Sequence, residues 1–350
     1  MAALSAVAVM QTGLAHASST PTSTAATGLP RFHCSAQHDV RKVTKMGDQF
    51  AIGGKPVAFR GFTMYPIGAS WDNASFPAYV TKVLNLARSA GQTLARPTDE
   101  WTRTGGRQTW NDSVIWSNLD DVVCQAAARR MHVVMDLSAY KWLLESHGEN
   151  PLNARLWLPF FRAVGAHYRG VTAIAEYSID GEPAFPVDKT QMYALKAFYR
   201  TLTDALHTAD PTHLISAGGF NNMNNGYRDW WKPIYALPHN DVAGFKTYSQ
   251  ADLADEAGYI SAIHSLHKIA LDEEFGEPQY VGDRSYTGQP YNRLVMSRAR
   301  FYQDVYATAD ANHCGGEIFW NLARLVGRRH YDVSPETPGV WHVVLRYGGR

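Results

Sequence analysis

Two short stretches of this chain place carboxylates where an apolar run stops. "YSIDGEP", Tyr177 to Pro183, sets Glu182 between a glycine and a proline that must end regular strand pairing, with Asp180 two residues earlier. "IALDEEFG", Ile269 to Gly276, ends in Asp272, Glu273 and Glu274 ahead of Phe275 and Gly276. A single acid on a loop is ordinarily a solvated group in a weak surface ion pair. Two acids held across one cavity are a different matter. One can protonate a departing oxygen while the other attacks or activates water, which is what cleavage of a glycosidic bond requires.

The elements that would have to position such a pair can be read along the chain. Eight apolar runs rich in β-branched and aromatic residues occur at 57–63, 92–99, 131–140, 172–180, 212–220, 241–249, 268–276 and 315–322. Amphipathic stretches lie between them, among them "AYVTKVLNLARSAG", "WSNLDDVVCQAAARR", "LWLPFFRAVGAHYRG" and "QMYALKAFYRTLTDALHTAD", with apolar residues recurring at three and four. Eight strand-helix units in succession predict an α/β fold, a single (β/α)8 TIM barrel. A doubly wound open sheet is the alternative, but "FRGFTMYPIG" after the first strand is not a Gly-x-Gly-x-x-Gly phosphate loop. Ahead of the barrel, "KMGDQFAIGGKPVAFRG" carries two short strands around a Gly-Gly turn.

Composition bounds the partners. Lys and Arg number 33 against 32 Asp and Glu in 350 residues, and there is no dense basic run, so neither nucleic acid nor an anionic membrane is expected and a neutral substrate fits better. No segment has the length of a membrane span. No His-x-x-x-His or His-Glu-x-x-His spacing sits on a helix face, so no metal or other cofactor is expected, and a Gly-x-Ser-x-Gly elbow is absent. Residues 1–17 have an apolar centre followed by Ala15-His16-Ala17, the pattern of an export leader. The basic start of such leaders is missing, so the leader is truncated or the export reading fails. Residues 18–30 form a Ser/Thr/Ala-rich tether, and 31–350 form the catalytic domain. A secreted or periplasmic monomer is expected. Cys34, Cys124 and Cys314 allow at most one bridge: a Cys34–Cys314 pair and three unpaired cysteines both stay open.

In a barrel of this kind the reacting groups sit at the C-terminal ends of the strands. The tags there, "YSIDGEP" on the fourth strand, "IALDEEFG" on the seventh, "LARP" on the second, "FKTYS" on the sixth and "EIFWNL" on the eighth, together resemble the clan A glycoside hydrolases, and within them family 5. "ADPTHLISAGGF" is similar to the fifth-strand approach of the family's β-mannanases. The resemblance spans nearly the whole chain after the tether. It implies a retaining glycoside hydrolase acting on a polysaccharide or oligosaccharide, β-mannanase-like or β-glucanase-like, with Glu182 as acid/base and Glu274 as nucleophile. Arg96, Asp180, Lys246, Tyr248 and Trp320 are the accompanying substrate-site candidates.

Glu273 competes with Glu274 because side chains alternate along a strand, and the following Phe-Gly favours Glu274. Two departures from the family's pattern stand out. Gly181 replaces the Asn that precedes the acid/base, and Lys246 replaces a His on the sixth strand. A carbohydrate-binding relative with weakened or lost turnover is the alternative implied by those changes.

Overall fold

The computed structural model describes residues 32–65, 75–98, 109–180, 182–221, 223–277, 296–322 and 331–349. The expected leader, the tether and Gly181 lie outside the described residues. Near the N-terminus, β1 (Val43–Met46), β2 (Gln49–Ile52) and β3 (Lys55–Val57) form an antiparallel sheet. Gly53 and Gly54 take left-handed φ values of 60° and 76° between β2 and β3, which is the expected Gly-Gly turn. The third strand, β1, was not expected. Its only buried residue is Val43, so its sequence carries almost no apolar signal.

The eight expected barrel strands are all present. They are β4 (Phe59–Met64), β5 (Leu94–Pro97), β6 (His132–Asp136), β7 (Ile174–Ser178), β8 (Leu214–Phe220), β9 (Val242–Thr247), β10 (Ile269–Phe275) and β11 (Gly316–Phe319). They pair in parallel in chain order, and β11 pairs with β4 to close the ring. The fold is therefore a (β/α)8 TIM barrel. The described α-helices are α1 (Phe76–Ser89), α2 (Ser113–Ala128), α3 (Ala139–Ser146), α4 (Ala154–Tyr168), α5 (Lys189–Ala209), α6 (Lys232–Tyr235), α7 (Gln250–Ser265), α8 (Arg298–Ala311) and α9 (Pro338–Tyr347), and a short 3-10 helix covers Ser35–Asp39. Among the described residues no helix is long and apolar enough to cross a membrane.

Two apolar layers result from strand alternation. Inside the barrel, Phe59, Leu94, Val134, Val242, Leu271 and Ile318 pack together, and Val43 and Phe50 from the N-terminal sheet join them from below. The larger layer lies between the barrel and its helices, with Phe62, Phe160, Phe161, Tyr199 and Phe275 among its members. The lower interior is thus filled by side chains.

The cysteine pairing differs from both sequence alternatives. Cys34 is disulfide-bonded to Cys124, tying the turn at Ser35–Asp39 to α2, while Cys314 is free and buried. The Cys34–Cys314 pairing is excluded because Cys314 sits beneath β11, where its thiol faces the carbonyls of Ala270 and Gly316. Spacing in sequence gave no hint of this, since the bridged residues are 90 apart.

Candidate active site

Glu182 follows β7 on a short connection whose course is fixed by Asp180. The Asp180 carboxylate accepts from the Glu182 amide at 3.2 Å and lies 3.7 Å from the Lys141 ammonium, while Lys141 donates to the Glu182 carbonyl at 2.7 Å. Gly218 in β8 permits this arrangement: it adopts φ 127°, and a Cβ there would sit 1.9 Å from the Asp180 carbonyl oxygen. Asp180 is 3% exposed, and its other carboxylate oxygen faces Tyr199 on α5. It holds the loop and is turned from the mouth.

The Glu182 side chain is 43% exposed and reaches over the mouth. There its Oε1 accepts from Lys246 Nζ at 3.1 Å and from Asn221 Nδ2 at 3.0 Å.

Glu274 enters the same space from β10. Its Oε1 lies 2.9 Å from Lys246 Nζ and accepts from the Arg96 guanidinium, and its Oε2 accepts from the Tyr248 hydroxyl at 2.8 Å. Burial alone would raise this carboxyl. Lys246, then Arg96, and the hydrogen bonds from Lys246 and Tyr248 bring it down to about 2 instead. Glu274 is therefore a buried but ionised carboxylate. Tyr248, raised by its own burial and by Glu274, stays a proton donor. Burial lowers the Lys246 ammonium, but Glu274 and Glu182 outweigh it and the net direction is up, so the lysine stays charged.

Because one ammonium touches both glutamates, their Oε1 atoms cannot be more than about 6 Å apart. The sequence-predicted residues Glu182, Glu274, Arg96, Lys246 and Tyr248 are thus brought into one contiguous hydrogen-bonded set. Trp320, at the end of β11, is 7% exposed with its ring centroid 5.0 Å from that of Tyr65.

Glu273 does not follow the expectation that only one of the adjacent glutamates can face inward. Its carboxylate lies inside the barrel, where it accepts from Ser178 at 3.0 Å and from Ser216 at 3.2 Å, and burial raises its pKa. Both Glu273 and Glu274 approach Arg96. The reason is a β-bulge. Asp272 pairs with Phe245 and Glu274 with Lys246, so β10 spends two residues where β9 spends one, and the alternation resets between the two acids. Gly244 of β9 leaves the space that Glu273 fills, since a Cβ there would meet its Oε1 at 2.4 Å.

Two residues of the site were missed by the sequence reading. Asp136, at the tip of β6, pairs with the Arg96 guanidinium at 2.7 Å and accepts from Thr98 at 2.8 Å, so it fixes the arginine that holds Glu274. Asn221, just after β8, touches Glu182. Both could have been found by the rule that pointed to the glutamates, because each is the polar residue that ends an apolar strand.

Fold and site together define a (β/α)8 barrel with two carboxylates bridged across its mouth. The backbone is similar to that of the endo-1,4-β-mannanase from Rhizomucor miehei, with a TM-score of 0.67 and 17% identity over 88% of this chain and 98% of that one. It is also similar to the endo-β-1,4-mannanase from Thermotoga petrophila (TM-score 0.63, 15% identity, 85% of this chain and 77% of that one). A third likeness is to a glycoside hydrolase family 5 mannosidase from Rhizomucor miehei (TM-score 0.66, 13% identity, 89% and 97%). At these identities the likeness is one of fold. No protein-family model matches the sequence, and no curated protein matches it.

Proposed function

We propose that this chain is a secreted retaining β-glycoside hydrolase of the family 5 type, acting on a β-mannan-like or β-glucan-like carbohydrate. The observation that carries the reading is the Glu182–Lys246–Glu274 bridge, which puts an exposed and a buried, ionised carboxylate on opposite sides of one small space. In the first step a Glu274 oxygen attacks the anomeric carbon, and the bond to the leaving oxygen breaks as Glu182 gives that oxygen its proton. In the second, a water gives its proton to Glu182 and its oxygen to the anomeric carbon, which releases Glu274. Arg96, Lys246 and Tyr248 keep Glu274 ionised and oriented. Asn221 and Lys246 aim Glu182. Trp320 and Tyr65 supply an apolar wall beside the sugar at the cleavage point.

Retention of the anomer is part of this reading. Carboxyls about 5 to 5.5 Å apart leave no room for a water beneath the anomeric carbon, whereas inverting pairs stand about 6.5 to 9.5 Å apart. The shared ammonium keeps the two Oε1 atoms within about 6 Å of each other, so both carboxylates border the same small space, and retention is the outcome that the family resemblance implies there. Export is supported by the Cys34–Cys124 disulfide, because such bonds persist in oxidising compartments. The fold shared with mannanases supports the substrate class.

A second reading, a carbohydrate-binding relative with little turnover, is favoured by one observation: the acid/base candidate is tied in an ion pair to Lys246 and follows Gly181. Proton NMR of product release from β-mannans, β-glucans and aryl β-glycosides separates the two. We expect the β-anomer to appear first. The α-anomer appearing first would overturn retention, and binding with no products would establish the second reading. Glu182→Gln should cost about 10² to 10⁴-fold on substrates with poor leaving groups, and far less on aryl glycosides whose leaving group needs no proton.

A further inference from the structure

Several residues of the barrel make room for one side chain that the proposed chemistry does not use. Glu273 reaches the interior because the bulge in β10 turns it inward, and two glycines of the neighbouring strands give way to it. A Cβ on Gly219 of β8 would lie 2.8 Å from the Glu273 Cβ and 3.0 Å from its Oε2, and a Cβ on Gly244 of β9 would meet its Oε1. Ser178 of β7 and Ser216 of β8 donate to the carboxyl group, and all three side chains are fully buried.

Beneath it lies a second acid. Glu176 stands one rung below Ser178 on the same face of β7, fully buried, and neither of its oxygens has a hydrogen-bond partner among the described residues. The charged groups around the pair are Arg96 of β5 and Lys246 of β9, against Asp136 of β6, Glu274 of β10 and Asp241 at the foot of β9. Tyr199 and Tyr235 face Glu273 as neutral phenols. Were Asp136, Glu176, Glu273 and Glu274 all ionised, Arg96 and Lys246 could balance only two of them, and a buried charge without a counter-charge takes up a proton instead. Asp136 and Glu274 meet those cations directly, at 2.7 Å from Arg96 and 2.9 Å from Lys246. Arg96 Nε lies 3.9 Å from Glu273 and has no hydrogen-bond partner among the described residues. Burial raises both Glu273 and Glu176, and Glu273 raises Glu176 further, against the pull of Arg96.

We propose that Glu273 is a positioning residue for the nucleophile, a carboxylic acid that keeps its proton and braces Arg96 against Glu274 and Asp136. The inference rests on the reading of Glu274 as nucleophile. A neutral acid suits this place in two ways. It fills the space under the guanidinium, so that Arg96 cannot settle into the barrel, and it does not compete for the arginine's charge. An ionised carboxylate 3.9 Å away would draw Arg96 down, and its like charge would raise Glu274, the group that must stay ionised. Glu176 secures the proton, because two carboxylates sharing one dry site cannot both ionise.

The test compares Glu273→Gln, Glu273→Met and Glu273→Ala with the unaltered protein, by infrared difference spectroscopy and by kinetics on aryl β-glycosides. Glutamine and methionine keep the length of the side chain without a charge, whereas alanine removes the brace. Near neutral pH the unaltered protein should show a protonated, solvent-shielded carboxyl band that Glu273→Gln loses. The acid limb of kcat/KM should stay in place for Glu273→Gln and Glu273→Met, since no charge beside Glu274 has changed. It should move up by about 1 unit for Glu273→Ala, as Arg96 slackens its hold on Glu274. In the same variant kcat should fall about 10²-fold with KM little altered, the cost of roughly 1 Å of misplacement, and Glu273→Gln should regain most of it. An acid limb that moves down in both neutral variants would show that Glu273 acts as an anion, and the proposal falls. It falls equally if the band survives in Glu273→Gln, or if Glu273→Ala matches Glu273→Gln in kcat and acid limb. If no substrate is turned over, the nucleophile reading fails, while infrared titration of the Glu274 carboxylate, referenced to Glu274→Gln, still decides whether Glu273 braces Arg96.

Discussion

Two of the three acids on strand β10, Asp272 and Glu274, stand in opposite circumstances. Glu274 faces the mouth and receives Arg96, Lys246 and Tyr248, so that it is ionised even though it is only 4% exposed. Asp272 faces the layer between barrel and helices together with Glu256 of α7 and Glu317 of β11, all three fully buried. The described cation in that layer is Arg60 of β4, which is shared between Glu317 and Asp310 of α8. Among the described residues no donor meets either oxygen of Asp272 or of Glu256 with good hydrogen-bond geometry, although the Thr247 hydroxyl and the Glu274 amide lie on the Asp272 side. Burial and the neighbouring acids raise Asp272 well above the usual carboxylate range, Glu256 to about 9 and Glu317 to about 8. Equal burial therefore goes with a charged group, Glu274, on one face of the strand, and with Asp272 and Glu256, which have no cation against them, pushed towards the neutral form on the other. Counter-charge decides between them.

The largest test of that contrast removes the charge at the mouth. Glu274→Gln keeps the shape of the side chain and a hydrogen-bonding site for Tyr248 but cannot attack an anomeric carbon. On the proposed mechanism turnover should fall on the order of 10⁴-fold or more, as on removal of an enzymic nucleophile. Near-normal kinetics on aryl glycosides and polymers alike would move the nucleophile elsewhere.

A smaller effect follows from Lys246→Met, which deletes the larger of the two cationic influences on Glu274 while leaving Arg96. The Glu274 pKa then rises by about 1 to 3 units, since an opposite charge at hydrogen-bond distance is worth that much. On the proposed mechanism Glu274 must be ionised to react, so activity is lost at higher pH than before: the acid limb of kcat/KM moves up, falling tenfold for each unit below the new value. An unmoved acid limb would mean that Arg96 alone sets the charge state.

The contrast also explains what the sequence could and could not reveal. The eight barrel strands were legible because each is an uninterrupted apolar run, and Glu182 and Glu274 were legible because they break such runs at the tips. Helix α7 was harder to see, since Glu256 is one of its four buried residues and interrupts the apolar stripe that marks an amphipathic helix. The bulge at Glu273 leaves no trace in residue type, so the alternation rule assigned one inward acid where the structure has two. Asp180 looked like a sugar ligand from its position, but a side chain two residues before a loop acid is also well placed to cap that loop, and the structure uses it so. The Cys34–Cys124 bridge depends on how α2 lies against the N-terminal turn, a tertiary fact that no local pattern carries.

The smallest and most discriminating effect belongs to the layer behind β10. Glu256 and Glu317 have folded-state pKa values of about 9 and about 8, above the ordinary 4.5 that each regains on unfolding, and Asp272 is raised in the same direction. For acids raised on folding, the folded state binds more protons than the unfolded state between the two values. Stability from these groups is thus fully present below about pH 4.5 and is lost as pH rises through about 8 to 9. Replacing Glu256 by Gln removes one ionisation from the cluster. Arg60, Asp310, Glu317 and Tyr306 keep their places around it. Thermal melts of Glu256→Gln should therefore be less dependent on pH between about 5 and 9 than those of the unaltered protein, with a gain of several degrees at the alkaline end. Activity measured near neutrality should change little, because Glu256 touches none of the groups at the mouth. If the two proteins lose stability in parallel as pH rises, the three acids are not protonated in the fold, and the distinction drawn between the two faces of β10 is wrong.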